Sequence, residues 1–276
     1  MPERNFPSHP GEQSAGDGEE CVRCYGTGYQ VQADADGVER ARACGCRDGR
    51  REGVLLEAAR IPRRYEHCSF ENYENHHPAQ ESARQFARRF VKEFPVGEMG
   101  LLFTGPCGTG KTHLAVAILR SLIQDRGLHC LFYDFQDLLK EIQASYRPDS
   151  AASEMDILQP VFTCDVLLLD DLGAQKPTAW VRDTVGHIIN NRYNNRRIIL
   201  FTTNRKDLPE ESIATRRTEP TEATLLDQIG QRIHSRVYEM CRVVSIEGPD
   251  YRKLTKQPGL RSLMNRPDRS GPGSGC

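Results

Sequence analysis

Four short runs of consecutive apolar residues dominate the chain: MGLLFTG (99–105), LHCLFYDF (128–135), DVLLLDD (165–171) and RIILFTTN (197–204), with a fifth, CRVVSIEG, at 241–248. Runs this short, rich in branched and aromatic residues, predict strands covered on both faces. Between them lie HLAVAILRSLIQDRG (113–127), FQDLLKEIQASY (135–146) and AWVRDTVGHIINNRYNNRR (179–197), whose apolar positions recur with the helical period and stop at Gly or polar residues. Strands alternating with helices predict an α/β fold, a parallel sheet with helices on both faces.

The flanks carry weaker patterns. SARQFARRFVKEF (82–94) sets Phe86, Phe90 and Phe94 four residues apart, on one face of a helix expected to pack on the following domain. GVLLEAAR (53–60) predicts a short helix leading into IPRRYEHCSFENY, which reads as linker rather than core, and PDSAASEMD, after residue 147, reads as a loop. Residues 1–20 and 256–276 lack apolar periodicity and are expected to be disordered tails. The expected boundaries are therefore a tail to 20, a cysteine module at 21–50, linker and helices at 51–98, the sheet domain at 99–255, and a tail from 256.

With 276 residues and 38% hydrophobic residues, the chain can bury one substantial core beside a small satellite. A net charge of −1 excludes a globally basic nucleic-acid coat, so any such contact must be local. Nowhere do 18 apolar residues run together and the N-terminus is polar, so the expectation is a soluble cytoplasmic protein with no membrane partner.

The chemistry starts at the end of the first strand. Gly105, Pro106, Cys107, Gly108, Thr109, Gly110, Lys111 and Thr112 satisfy G-x-x-x-x-G-K-[ST] between an apolar run and a helical pattern, with His113 next. The glycines let successive N–H groups face the phosphates of a nucleotide, Lys111 reaches the β- and γ-phosphates, and Thr112 ligates Mg²⁺. Asp170 and Asp171 close VLLLDD, a Walker B pattern: Asp170 would hold the Mg²⁺ shell and Asp171 would orient the attacking water. Asp171 is shorter than the Glu common there, which makes nucleotide binding a firmer expectation than fast turnover. Asn204, ending RIILFTTN, reads as a sensor of the γ-phosphate or as a cap. Asn204-Arg-Lys-Asp207 also approximates a guanine-reading NKxD, but Arg205 stands where Lys is needed.

Ten cysteines could suggest disulfides, yet Cys21, Cys24, Cys44 and Cys46 form C-x₂-C and C-x-C pairs, a closed Cys₄ set for structural Zn²⁺ in a reducing compartment; a redox dithiol is the alternative. Cys68, Cys107, Cys130, Cys164 and Cys241 read as small buried hydrophobes, and the histidines lack ligand spacing.

In order and spacing, GPCGTGKTH, VLLLDDLG, the FTTN strand end and GQRIHSRVYEMC resemble AAA+ ATPases of the DnaC/DnaI helicase-loader and IstB transposition-helper type, over roughly Cys21 to Arg252. The resemblance implies an ATPase using ATP and Mg²⁺. Arg236 matches the arginine finger that acts on a neighbour's nucleotide, with Arg232 as companion, and this implies self-association. Arg252 resembles the sensor 2 arginine. Tyr146, with Arg147 beside it, matches an aromatic that stacks on single-stranded DNA; packing between helices is its other reading. Arg182, Arg192, Arg196 and Arg197 would add local positive charge. The cysteine module is similar to those that dock on the replicative helicase. The resemblance thus implies a helicase loader, with two alternatives: an IstB-like helper of a transposase on duplex DNA, and a nucleotide-binding switch with little hydrolysis.

Overall fold

A computed structural model describes residues 21–34, 36–95, 97–206 and 223–256. The two predicted tails lie outside the described residues, apart from Lys256, which ends a helix. The chain divides after Val54 into two compact units.

In the first unit, YQVQA and ERARA form an antiparallel hairpin, β1 (Tyr29–Ala33) and β2 (Glu39–Ala43), in which Tyr29 faces Ala43 and Val31 faces Ala41. Asp34, beyond the end of β1, pairs with both Arg40 and Arg42. The helix expected at 53–60 begins earlier, as α1 (Cys46–Ala58), with Asp48 in its first turn where the helix dipole favours an anion.

The second unit contains the predicted parallel sheet. Its strands are β3 (Gly100–Thr104), β4 (Cys130–Asp134), β5 (Val166–Asp170), β6 (Ile198–Thr203) and β7 (Cys241–Ser245), all parallel, in the order β4-β5-β6-β3-β7. Every residue of β5 and β6 is buried, because helices cover both faces. Alternate residues serve two cores: Leu101, Phe103, Phe132, Leu168 and Leu200 face one, and Leu102, Leu131, Leu167, Leu169 and Phe201 the other. Each fully buried side chain of this size contributes about 1.5–3 kcal/mol.

The first core is filled by α2 (Pro78–Glu93) and α3 (Lys111–Arg126), the second by α4 (Phe135–Ser145), α5 (Glu154–Thr163), α6 (Ala179–Asn194), α7 (Leu225–Ile229) and α8 (Gln231–Met240); α9 (Tyr251–Lys256) follows β7. The chain leaves β3 through α3 on one face and reaches β7 through α8 on the other. The carboxyl ends of β3 and β6, which pair directly, therefore flank the crevice where open α/β sheets bind ligands.

Two expectations are corrected. Residues 61–73 are not a linker: Cys68, Phe70 and Tyr73 are buried in the first core, and just before them the Ala59 carbonyl accepts from the Phe132 N–H of β4 at 2.8 Å. Within 147–163, helix α5 starts at Glu154, directly after its N-cap Ser153, which forms a capping box with Asp156, and carries Pro160 inside it.

Candidate functional site

The loop after β3 turns sharply and enters α3 through Gly110, whose φ of 92° suits glycine. A Cβ there would lie 2.5 Å from the Tyr73 ring. Gly105 is equally constrained, with φ of 139° and only 2.1 Å between a Cβ and the Ile246 carbonyl oxygen. The loop is thus clamped between the segment before the sheet and the segment after it. Tyr73 Oη and Gln80 Nε2 each donate to the Thr109 carbonyl at 3.1 Å, and the Tyr251 N–H donates to the Gly108 carbonyl at 3.0 Å.

Beside this loop lies a cavity of about 670 Å³. Cys107, Gly108, Thr109, Gly110, Lys111, Thr112, His113, Asp170, Asp171, Asn204 and Arg252 all line it, so most residues selected from the sequence converge on one place. Gly105 and Pro106 contribute through their carbonyls, which accept from Lys111 Nζ at 2.8 and 2.6 Å. Lys111 is buried, and burial lowers its pKa, opposed by the nearby Asp170 and Asp171 carboxylates.

The acids are held by polar side chains of neighbouring elements. Asp170 Oδ1 accepts from Thr112 Oγ1 at 2.8 Å and from Thr202 Oγ1 at 2.6 Å. These bonds favour the carboxylate, but burial is larger and raises the Asp170 pKa. Asp171 sits in the left-handed region, φ 60°, a conformation Asp tolerates better than most residues. The turn is pinned by its own N–H, donated to Thr202 Oγ1 at 2.9 Å, and by Asn204 Nδ2, which donates to Asp171 Oδ1 at 2.5 Å. Burial, and then the charge of Asp134, raise the Asp171 pKa. Thr112 and Asp170, already in contact at the cavity wall, are a hydroxyl and a carboxylate of the kind that holds Mg²⁺.

Several lining residues were not singled out from the sequence. Asp134 ends β4 beside Asp170 and caps α4 by accepting from Gln136 and Asp137 N–H; strand-end position was the signal that marked Asp170 and applied equally here. Thr202 is a polar residue inside an apolar run. Arg64, Tyr65, Tyr73 and Gln80 come from the stretch before the sheet and carry no local pattern.

Other selected residues lie elsewhere. Tyr146 caps the end of α4 and is 53% exposed, with its ring edge-on to Trp180 of α6; Arg147 beside it is exposed. Arg192 cannot supply surface charge: it is fully buried and donates to the carbonyls of Val161, Cys164, Asp165 and Ile198. Arg182 is bound to the carbonyls of Asp227 and Gln228, while Arg196 and Arg197 reach Glu98 and Asp165. Arg232 and Arg236 lie on α8 and are not among the cavity's lining residues. Cys107 is exposed, unlike buried Cys68, Cys130, Cys164 and Cys241. His113 Nε2 lies 2.9 Å from both the Ser69 carbonyl and Asn72 Oδ1, which ties the start of α3 to the preceding segment.

In the first unit, the Sγ atoms of Cys21, Cys24, Cys44 and Cys46 all lie within 4.8 Å of one another, the spacing of a tetrahedral thiolate set. Backbone N–H groups of Arg23 and Cys24 draw the Cys21 thiol down to about 6, and the Cys24 thiol pushes Cys46 up to about 12. Four convergent thiols are a donor set that Zn²⁺ fits. Among the described residues no other group of His, Cys, Asp or Glu converges in this way, and no helix is long and apolar enough to cross a membrane.

Comparison with known proteins adds the family. Residues 38–259 match the model of the IstB-like ATP binding proteins. The replicative helicase loader DnaC of Escherichia coli strain K12 is 31% identical over 140 residues, 51% of this chain and 56% of that protein. The chain thus spans little more than half the length of the DnaC proteins it matches. The crystal structure of the DnaC helicase loader is 30% identical with a TM-score of 0.58 and covers 67% of this chain and 100% of that one. That of DnaI is 26% identical with a TM-score of 0.53, covering 72% and 98%. In this chain a phosphate loop after β3, two acids at the end of β5 and a polar residue after β6 meet at one cavity, and the chain belongs to the IstB-like, DnaC-related family of AAA+ P-loop ATPases.

Proposed function

We propose that this protein is an ATP-dependent loader of the replicative helicase, one that binds ATP with Mg²⁺, holds single-stranded DNA and the helicase, and releases them on hydrolysis. The observation that carries the reading is the single cavity in which Lys111, Thr112, Asp170, Asp171 and Asn204 meet, in a chain related to DnaC and DnaI. Loop N–H groups and the Lys111 ammonium bind the phosphates, joined by Arg252, which lines the same cavity. Thr112 and Asp170 would hold Mg²⁺, which supplies charge neutralisation at the β- and γ-phosphates. Asp171, oriented by Asn204, accepts a proton from the attacking water. Arg236 acts on the nucleotide of a neighbouring copy, so that bound ATP bridges subunits. Exposed Tyr146 offers a ring on which an unpaired base can stack. The thiol cluster holds Zn²⁺ and orders the module that docks on the helicase.

The match to the IstB-like model favours a second reading, a helper of a transposase acting on duplex DNA. Affinity capture with the full chain decides between them. Retention of the replicative helicase in the presence of ATP is expected, and retention of a transposase instead would replace the loader reading. Phosphate release measured with and without single-stranded DNA tests hydrolysis: turnover absent under both conditions would leave only a nucleotide-binding switch. Arg236→Ala is expected to abolish turnover while ATP binding stays nearly intact.

A further inference from the structure

Arg236 stands on α8, which is anchored by its buried Ile233 and Val237. Helices α6 and α8 approach closely at Gly186, where a Cβ would lie 3.2 Å from Ile233 Cδ1. Across this packed seam the Arg236 guanidinium carbon lies 5.3 Å from the centroid of the Tyr193 ring, near the end of α6. The Tyr193 hydroxyl in turn donates to Glu239 Oε1 at 2.7 Å, and Glu239 follows Arg236 by three residues on α8, on the same side of the helix. The ring is therefore tethered at its polar end to α8 while its face meets the cation of α8.

This arrangement has a specific chemical consequence. A carboxylate paired directly with Arg236 would occupy the guanidinium N–H groups. Here the nearby carboxylate bonds the phenol instead, and the cation is held by the π face, which needs no N–H donor. The donors stay available for phosphate oxygens, and the long side chain is restrained before any ligand arrives. We propose that Tyr193 and Glu239 form a cradle that positions Arg236 for the γ-phosphate of a neighbouring copy's nucleotide. The proposal rests on the arginine-finger reading given above, and Tyr193 is a positioning residue that acts only through Arg236.

A mixing experiment with full-length chains separates the two ideas. Arg236→Ala keeps its own nucleotide site and lacks the finger; Asp171→Asn keeps the finger and lacks the group that activates water. Neither alone turns over ATP, and their mixture is expected to recover turnover where an Asp171→Asn donor presents Arg236 to an Arg236→Ala site. A donor that also carries Tyr193→Leu is expected to give about 2- to 5-fold less kcat at unchanged KM, the effect of losing one exposed cation–π contact. A donor with Tyr193→Phe retains the ring but loses its tether to Glu239, and is expected to recover more than the Tyr193→Leu donor and less than Asp171→Asn alone. Equal or greater recovery with Tyr193→Leu overturns the cradle. Should Tyr193→Leu lower the melting temperature, Glu239→Ala, at an exposed position, frees the same ring and must also reduce recovery; undiminished recovery there overturns the proposal equally. No recovery with the Asp171→Asn donor itself overturns the finger reading, and the cradle falls with it.

Discussion

In the hairpin β1–β2 no residue of either strand is buried, whereas every residue of β5 and β6 is. Among the described residues up to Val54 the buried positions are Cys24, Gly28 and Cys44, two of them thiols of the cluster. From Leu55 onward, two apolar cores sandwich five parallel strands. The contrast separates two ways of making a rigid surface. The sheet domain excludes water from large side chains and can therefore hold charged groups such as Asp170 and Lys111 in fixed, partly dehydrated positions. The cysteine module has too few apolar side chains for that, and its four convergent thiols are the groups through which a bound metal would fix its loops.

The largest expected effect breaks the module and spares the sheet. Chelation of the full chain is expected to remove one Zn²⁺ and to move the amide resonances of Tyr29–Ala43 to random-coil positions, while the melting transition of the sheet domain stays where it was. Cys44→Ser should do the same without a chelator. A hairpin that keeps its resonance dispersion without metal would refute the contrast.

The reverse experiment targets Arg192. Its guanidinium has no solvent and spends its donors on carbonyls of the α5–β5 turn and of Ile198 in β6. Burial lowers even this pKa. Arg192→Leu would leave those acceptors unpaired inside the second core, at an expected cost of about 3–5 kcal/mol. The midpoint of urea unfolding of the sheet domain measures it, and an unchanged midpoint would show that the carbonyls find other partners.

Arg192 also shows where sequence patterns stop being informative. The strands were legible because parallel strands covered on both faces must be apolar at successive positions, and the phosphate loop because its geometry demands glycine at fixed spacing. A lone arginine in NNRYNNRR carries no mark of burial, since its partners are backbone carbonyls that any sequence provides. For the same reason the segment 61–73 reads as linker: Cys68, Phe70 and Tyr73 are placed by tertiary contacts with α3 and the phosphate loop, not by a local period. Helix α5 was hidden by Pro160, and the hairpin by strands so exposed that their alternation pairs Gln with Arg rather than apolar with polar. At the cavity, Asp134 and Thr202 needed the sheet order before their nearness to Asp170 and Asp171 meant anything.

A smaller effect is expected at Tyr146, exposed at the end of α4 with Trp180 edge-on to it. Tyr146→Ala should weaken single-stranded DNA binding by about 1–3 kcal/mol per stacked base and leave ATP affinity unchanged. Equal DNA affinity in the variant, measured by fluorescence anisotropy, would remove Tyr146 from the proposed DNA contact.

The smallest effect tests whether the segment before the sheet supports the phosphate loop as a unit. Tyr73 Oη and Gln80 Nε2 both donate to the Thr109 carbonyl at 3.1 Å, so that oxygen has two donors where one would suffice. Tyr73→Phe keeps the ring that fills the space above Gly110 and leaves Gln80 on the carbonyl, and the expected loss of stability is about 1 kcal/mol or less. Gln80→Met alone should cost a similar amount. Together they leave a buried carbonyl without either donor, so the double variant should lose more than the sum of the singles, by about 1 kcal/mol. The same excess should appear in ATP affinity, because the unsupported carbonyl belongs to the peptide that carries the Gly110 N–H toward the phosphates. Additive losses in both measurements would mean that α2 and the loop merely touch.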